Sequence, residues 1–375
     1  MLRSPDRTAA PPATGAWREG DPVGGRRFET LGDVALESGT VLPDVRLAYE
    51  TWGELDRDAS NAVLVLHALT GDSHVSGDAG PGHPSPGWWA GLVGPGRAVD
   101  TDRYFVVAPN ILGGCQGSTG PSSPGPDGRP WGARFPALTV RDQVAAEARL
   151  ADRLGITRWA AVTGGSAGGM RALEWAITWP ERVAALFLLA SSATASADQI
   201  GLSTTQVEAI RADHAFAGGD YYDAADGEGP HRGLALARRV AHLSYRSADE
   251  LEERFGREAQ DDGRWAVESY LAHHGDKLVH RFDANSYVTL TRAMDTHDVG
   301  RGRGGVDAAL ARITARTVVA GIDSDRLYPL AQQEQIADAV PTCDYLDVVE
   351  SLHGHDGFLV ELDAVDPLAR RLLDT

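Results

Sequence analysis

WAAVTGGSAGGMRALEW, residues 159–175, is the stretch that decides the fold. A short apolar run, Trp159–Val162, leads into Gly164-Gly165-Ser166-Ala167-Gly168. A segment with helical character, Ala167–Thr178, follows at once. This is a G-x-S-x-G match in a strand–turn–helix context, the setting that a nucleophile elbow requires. The chemistry explains the residue types. A sharp strand-to-helix turn strains the serine backbone, and flanking side chains would collide, so glycine stands on both sides. The turn presents the Ser166 hydroxyl at the end of the sheet. It also puts the Ala167 N–H at a helix N-terminus, where the dipole favours a developing oxyanion. Glycine-rich turns and phosphate-cradling loops also carry such runs, but the lysine of a G-x-x-x-x-G-K-[ST] loop is missing here.

Outward from the elbow, short runs rich in Val, Leu and Ala recur between turn residues. They are Ala62–Leu66, Tyr104–Ala108, Ala185–Ala190, Thr317–Ile322 and Tyr345–Val349. Unbroken apolar runs of this length suit strands covered on both faces of a parallel sheet. Helical spacing over Arg141–Leu154 alternates with them, which predicts an open α/β sheet. The alternation stops between residues 193 and 305, where the chain is more polar and helix-like, as in Leu234–Tyr245 and Asp249–Gln260. The expected organisation is a leader over 1–25, disordered because Pro-rich and charged, then a core over 26–192. A helical cap over 193–305 follows, and the core resumes over 306–375. A cap set over the end of the sheet would keep water from the site; a separate helical domain is the alternative.

A serine needs a base, and in this strand–elbow–helix arrangement the acid and the histidine follow it in the chain. Two aspartates, Asp323 and Asp325, come directly after one predicted strand. Two histidines, His353 and His355, come after the next. Sites in open α/β sheets form beyond the carboxyl ends of strands. Asp325 is preferred because a pattern common to such hydrolase-like folds sets the acid four residues before a proline, here Pro329. His355 is preferred because it follows Gly354 and precedes the apolar stretch 357–362. Ala62–Leu66 runs into His67-Ala68-Leu69-Thr70-Gly71, and the Leu69 N–H is the candidate second oxyanion donor beside that of Ala167.

Nine segments in order then support a resemblance: HALTGDSHVSG (67–77), NILGGCQGSTGPSSP (110–124), GGSAGGMRALEWA (164–176), ARRVAHLSYRS (237–247), VESYL (267–271), RFDANSY (281–287), AMDTHDV (293–299), SDRLYP (324–329) and GHDGFL (354–359). With them the chain resembles the homoserine O-acetyltransferases of methionine biosynthesis, within the homoserine/serine O-acyltransferase group of the α/β-hydrolase fold. One departure is Ala167, where methionine often follows the nucleophile; the position contributes a backbone N–H, which alanine supplies. The resemblance implies a mostly parallel sheet with an inserted helical cap, and a triad of Ser166, Asp325 and His355. It implies that Arg238 and Tyr245 contact the carboxylate end of the amino-acid substrate and that Asp356 contacts its ammonium. Arg238 and Tyr245 stand two helical turns apart, so both can face one cleft. The implied substrates are acetyl-CoA and L-homoserine, with no cofactor and no metal, in a homodimer. Related readings of the same constellation are a succinyl donor, a serine acceptor, or an esterase or thioesterase.

Composition narrows the partners. The 375 residues are 42% hydrophobic and 23% charged, with a formal net charge of −18. That balance disfavours nucleic acid and anionic membrane as partners. No apolar run approaches the ~20 residues of a membrane span. The N-terminal segment lacks a secretory apolar core, so a cytoplasmic location is expected. Two cysteines, Cys115 and Cys343, cannot form a disulfide framework and read as small buried apolar residues.

Overall fold

A computed structural model describes residues 10–373. The strands in chain order are β1 (Arg27–Ala35), β2 (Val41–Trp52), β3 (Ala62–Leu66), β4 (Val93–Gly94), β5 (Val99–Asp100), β6 (Phe105–Pro109), β7 (Ala161–Gly165), β8 (Ala185–Leu189), β9 (Arg316–Ile322) and β10 (Leu346–Val349). Eight of them form one sheet in the order β1-β2-β6-β3-β7-β8-β9-β10, and β4 and β5 pair separately. From β6 to β10 the main sheet is parallel; β1 and β2 enter antiparallel. The five residues of each of β3, β7 and β8 are all buried, as their unbroken apolar character requires of strands covered on both faces. The hairpin β1–β2 mixes buried and exposed residues over β1 and the first half of β2, and its one buried run, residues 47–50, includes a glutamate, so a search for continuous apolar runs passes over it.

The helices are α1 (Val140–Arg153), α2 (Ala167–Thr178), α3 (Ala197–Arg211), α4 (His231–Tyr245), α5 (Ala248–Phe255), α6 (Ala266–Val279), α7 (Ala284–Asp295), α8 (Val306–Leu310), α9 (Leu330–Ala339), α10 (Gly357–Val360) and α11 (Leu362–Leu373). One apolar cluster joins α1, α2 and α9 to one face of the sheet through Val144, Met170, Trp175 and Ile336. A second, with Trp89, Val365 and Leu372, covers the other face. Helices α3 to α7 fall between β8 and β9 and gather round a third cluster that includes Ile210, Phe216, Leu234, Phe282 and Tyr287. Side-chain caps fix several helix starts: Thr139 and Ser196 form capping boxes at α1 and α3. Helix α5 ends at Phe255, five residues before the patterned stretch does, because Gly256 turns to a φ of 43°. No helix of the described residues is long and apolar enough to cross a membrane.

The leader needs correction. Residues 1–9 lie outside the described part, but from about residue 11 the segment packs on the helical insertion. The Thr14 hydroxyl donates to Asp283 Oδ1 at 2.8 Å, Gly15 N–H reaches the Phe282 carbonyl at 3.2 Å, and Trp17 N–H reaches the Cys115 carbonyl at 2.9 Å. Ala13, Thr14 and Ala16 are buried. Proline- and alanine-rich composition reads as disorder only while a docking surface is unseen; here Asp283 and the inserted helices supply one. Cys343 is half-buried rather than buried, whereas Cys115 is buried as expected and its thiol is pushed up to about 12 by burial.

Candidate active site

Ser166 sits between β7 and α2 with φ 55° and ψ −125°, a conformation that costs a residue with a side chain and persists only where its surroundings enforce it. Three hydrogen bonds do so. Its N–H donates to the Leu189 carbonyl at 3.0 Å, and its carbonyl accepts from Met170 N–H at 3.1 Å and from the Ser191 hydroxyl at 2.8 Å. Glycine is needed beside it for contact reasons: a Cβ on Gly164 would lie 2.6 Å from the Gly168 carbonyl carbon, and one on Gly168 would overlap the Leu66 carbonyl oxygen. The end of β3 and the start of α2 therefore touch backbone to backbone.

Of the two aspartates, Asp325 is buried and directed at His355, with Oδ2 2.6 Å from Nδ1. Its Oδ1 accepts from the N–H groups of Leu327 (2.8 Å) and Tyr328 (2.9 Å), so the carboxylate is fully engaged and cannot swing. Asp323 is engaged elsewhere, its Oδ1 accepting from Ser351 N–H at 2.9 Å and tying together the loops after β9 and β10. Of the two histidines, His353 is half-exposed and pairs with Glu250 at 3.1 Å. His355 is buried. Burial, the strongest influence on its imidazole, pulls the pKa down, but the Asp325 charge and hydrogen bond outweigh it and the net shift is upward. Donation from Nδ1 to Asp325 leaves Nε2 as the basic nitrogen.

Two aromatic rings place His355 against the elbow. Tyr328 stacks on the imidazole, with ring centroids 4.9 Å apart. Phe358 meets the imidazole edge-on at 5.5 Å and packs against Gly165, the residue before Ser166. Ser166 and His355 share no direct hydrogen bond; the side-chain bond of His355 is the one to Asp325. Sequence reasoning misses both rings as parts of the site, although Tyr328 lies inside SDRLYP and Phe358 inside GHDGFL.

The loop after β3 is also braced. His67 is buried, and burial above all, then the Arg171 charge, lowers its pKa to about 3, so the ring is neutral. It accepts from Ile111 N–H at Nε2 (3.1 Å), which assigns its proton to Nδ1 facing the Ala68 carbonyl (2.7 Å). Arg171, on α2 and fully buried, donates to the His67 carbonyl at 2.5 Å and to Glu147 of α1 at 2.5 Å. Trp175 holds the other Glu147 oxygen at 2.9 Å. The segment carrying Leu69 and the helix carrying Ala167 are thus bolted together. Apolar periodicity cannot reveal this, since it depends on a buried arginine that sequence alone assigns to the surface.

The helical insertion supplies the rest. Arg238 and Tyr245 share one face of α4, the guanidinium 5.5 Å from the phenol ring, and the Tyr245 ring lies 5.8 Å from His355. Arg238 Nη1 donates to Thr70 Oγ1 at 3.1 Å, next to Leu69. Leu69, Met170, Tyr245 and Tyr328 line one cleft, with Gln206 and Asp295 also on its wall. Asp356 precedes α10 but makes no capping bond; its Oδ2 pairs with Arg246 Nη2 at 3.0 Å.

Among the described residues, one trio has the donor types of a metal site: Glu50, His74 and His83, all buried. The two imidazoles are stacked, 3.8 Å apart and 6° from parallel, so their in-plane lone pairs run side by side and do not converge on one ion. The cluster is instead bound by hydrogen bonds. Burial opposes ionisation of Glu50, yet the hydrogen bonds from Ser73 (2.6 Å) and His74 (3.2 Å), with His83 close by, hold its carboxyl down at about 2.

Comparison with known proteins agrees with this geometry. Residues 61–362 match the family model described as alpha/beta hydrolase fold. The chain is 64% identical over 377 residues to a homoserine O-acetyltransferase of Thermobifida fusca, covering 99% of both. Among solved structures it is similar to homoserine O-acetyltransferase from Bacillus anthracis, with a TM-score of 0.85 and 27% identity over 93% of this chain and 97% of that one. It is also similar to an acetylester hydrolase from Corynebacterium glutamicum, with a TM-score of 0.82 and 27% identity over 94% and 97%.

Proposed function

The chain belongs to the homoserine O-acetyltransferase family on the α/β-hydrolase fold and is an acyltransferase, and we propose that it moves the acetyl group of acetyl-CoA to the γ-hydroxyl of L-homoserine through an acetyl-Ser166 intermediate. The observation that carries this reading is the buried 2.6 Å His355–Asp325 hydrogen bond together with a serine held at positive φ at the end of β7, with the Tyr245 ring of α4 5.8 Å from His355 and Arg238 5.5 Å from that ring.

In the first half-reaction His355 Nε2 accepts the Ser166 proton as Oγ attacks the thioester carbonyl. The N–H groups of Ala167 and Leu69 hold the oxyanion, and the thiolate of CoA leaves with the proton from His355. In the second, the γ-hydroxyl attacks the acetyl ester, its proton passes to His355, and the same proton returns to Ser166 Oγ as the ester bond breaks. Asp325 keeps the imidazole in the required tautomer and stabilises its charged form. Arg238 and Tyr245 hold the carboxylate end of the acceptor. Asp356 takes the ammonium through Oδ1, the oxygen not engaged by Arg246. These roles need no metal or resident cofactor, since acetyl-CoA enters as substrate. Transfer outruns hydrolysis when the acceptor is held in line, because oriented groups reach effective molarities of about 10⁵ M or more. A cytoplasmic, homodimeric enzyme of methionine biosynthesis fits this chemistry.

The deciding experiment crosses acetyl-CoA and succinyl-CoA with L-homoserine and L-serine, with Ser166→Ala as control. Acetyl-CoA with homoserine should give the highest kcat/KM. Preference for another pair would replace the reading, and hydrolysis of acetyl-CoA as fast as transfer at saturating homoserine would make the protein an esterase-like enzyme.

A further inference from the structure

RFDANSY (281–287) is a matched segment to which the acyl-transfer reading assigns no part. Asp283 within it is structural. It caps α7 through Ser286 N–H (2.8 Å) and accepts the hydroxyls of Thr14 (2.8 Å), Tyr221 (2.7 Å) and Tyr222 (3.1 Å). Arg281 is different. It stands at the junction of α6 and α7, and its Nη1 donates to the Thr70 carbonyl at 2.8 Å. Arg238, from α4, donates to the hydroxyl of the same threonine at 3.1 Å. Two guanidinium groups from separate elements therefore converge on one residue, next to the Leu69 N–H.

Neither arginine has an ion-pair partner within 4.0 Å among the described residues. Asp72 is the carboxylate whose charge reaches Arg281, but its Oδ1 accepts from His74 N–H at 3.0 Å. Burial lowers the Arg281 pKa; the Asp72 charge opposes this, the Arg238 charge adds to it, and the net shift is downward. Two adjacent cations, neither in an ion pair and Arg281 desolvated, are unfavourable on both counts, and the Asp72 charge offsets this only in part. A group with two acceptor oxygens and a negative charge would relieve both, and planar guanidinium forks suit a carboxylate.

We propose that Arg281 and Arg238 together form an anion subsite at Thr70 that takes the α-carboxylate of the amino-acid acceptor, with Arg281 setting the preference for an acceptor that carries one. The inference rests on the acyl-transfer reading above and adds a residue to it. Position favours the acceptor over the other anionic substrate. The subsite adjoins the oxyanion loop, and the carboxylate of homoserine is a short carbon chain away from its reacting hydroxyl, whereas the phosphates of CoA lie beyond the pantetheine arm.

The test uses Arg281→Gln and Arg281→Lys in the full chain, with L-homoserine and homoserinol, which lacks the carboxylate, as acceptors. The expected result is a KM for homoserine raised about 10–100-fold in Arg281→Gln, in line with loss of a hydrogen bond between charged groups. Homoserinol kinetics and the acetyl-enzyme burst from acetyl-CoA should stay as in the wild type, and Arg281→Lys should recover part of the loss. A KM raised equally for both acceptors, or raised for acetyl-CoA with homoserine unaffected, would overturn the proposal; the second outcome would assign the anion site to CoA. Should Arg281→Gln fail to fold, the wild type decides: equal use of homoserinol and homoserine contradicts the subsite. Absence of any acetyl-enzyme burst in the wild type would instead strike the underlying mechanism, so the two failures are distinguishable.

Discussion

The two sides of the cleft are built by opposite means. On the sheet side, backbone does the positioning. Ser166 is fixed by three hydrogen bonds to its main chain, Gly168 closes on the Leu66 carbonyl, and Asp325 is held by two N–H groups before it meets His355. On the side of the helical insertion, which the proposed function makes a cap, charged side chains do it: Arg238 on Thr70, Arg246 between Asp356 and Glu250, Arg281 on the Thr70 carbonyl. The first arrangement is stiff and chemically generic, which is why an acetylester hydrolase shares the frame. The second is suited to a zwitterion. Substitutions on the sheet side should therefore act on the chemical steps whatever the acceptor, and those on the cap side should act on acceptor choice.

The largest effect should come from Ser166→Ala, with kcat for transfer falling about 10⁴–10⁶-fold, as for other serine nucleophiles, and melting temperature little changed. Asp325→Asn should follow, with a loss of about 10⁴-fold and a displaced pH profile. The sign is set by the imidazole. Asp325 raises the His355 pKa, and the neutral base is needed, so the rising limb of kcat/KM in the wild type should lie above the pH of an ordinary histidine. Removing the carboxylate charge should move that limb to lower pH; a limb that stays in place would detach His355 from Asp325. On the cap side, Arg246→Gln should raise the KM for homoserine about tenfold by releasing Asp356, with the acetylation burst intact. If burst and KM suffer alike, the division between the two sides fails. The smallest effect belongs to the N-terminal segment: Thr14→Val should lower stability by about 1 kcal/mol through the lost bond to Asp283, read by denaturant unfolding, and leave kcat unchanged.

What is legible in the sequence follows the same division. The elbow, β3 and α2 can be read to the residue, because local sterics and apolar runs dictate them: Ala62–Leu66 and Ala167–Thr178 have the expected bounds. The choice of Asp325 over Asp323 rests on spacing to Pro329, and in the structure the two acids differ in what they hold. The hairpin β1–β2 escapes because it mixes buried and exposed residues. The braces escape for another reason. Arg171, His67 and Tyr328 act by being buried and paired across distant parts of the chain, and no local pattern distinguishes a buried arginine from an exposed one. The N-terminal segment reads as disordered for the same cause, since its order depends on Asp283, on the far side of the sequence.

The most direct test of the central claim is intact-mass analysis of the protein mixed with acetyl-CoA before any acceptor is added. The account predicts one acetyl group per chain, located on Ser166, discharged on adding L-homoserine, and absent from Ser166→Ala. Rapid transfer with no such adduct, or an adduct that survives loss of the serine hydroxyl, would contradict it.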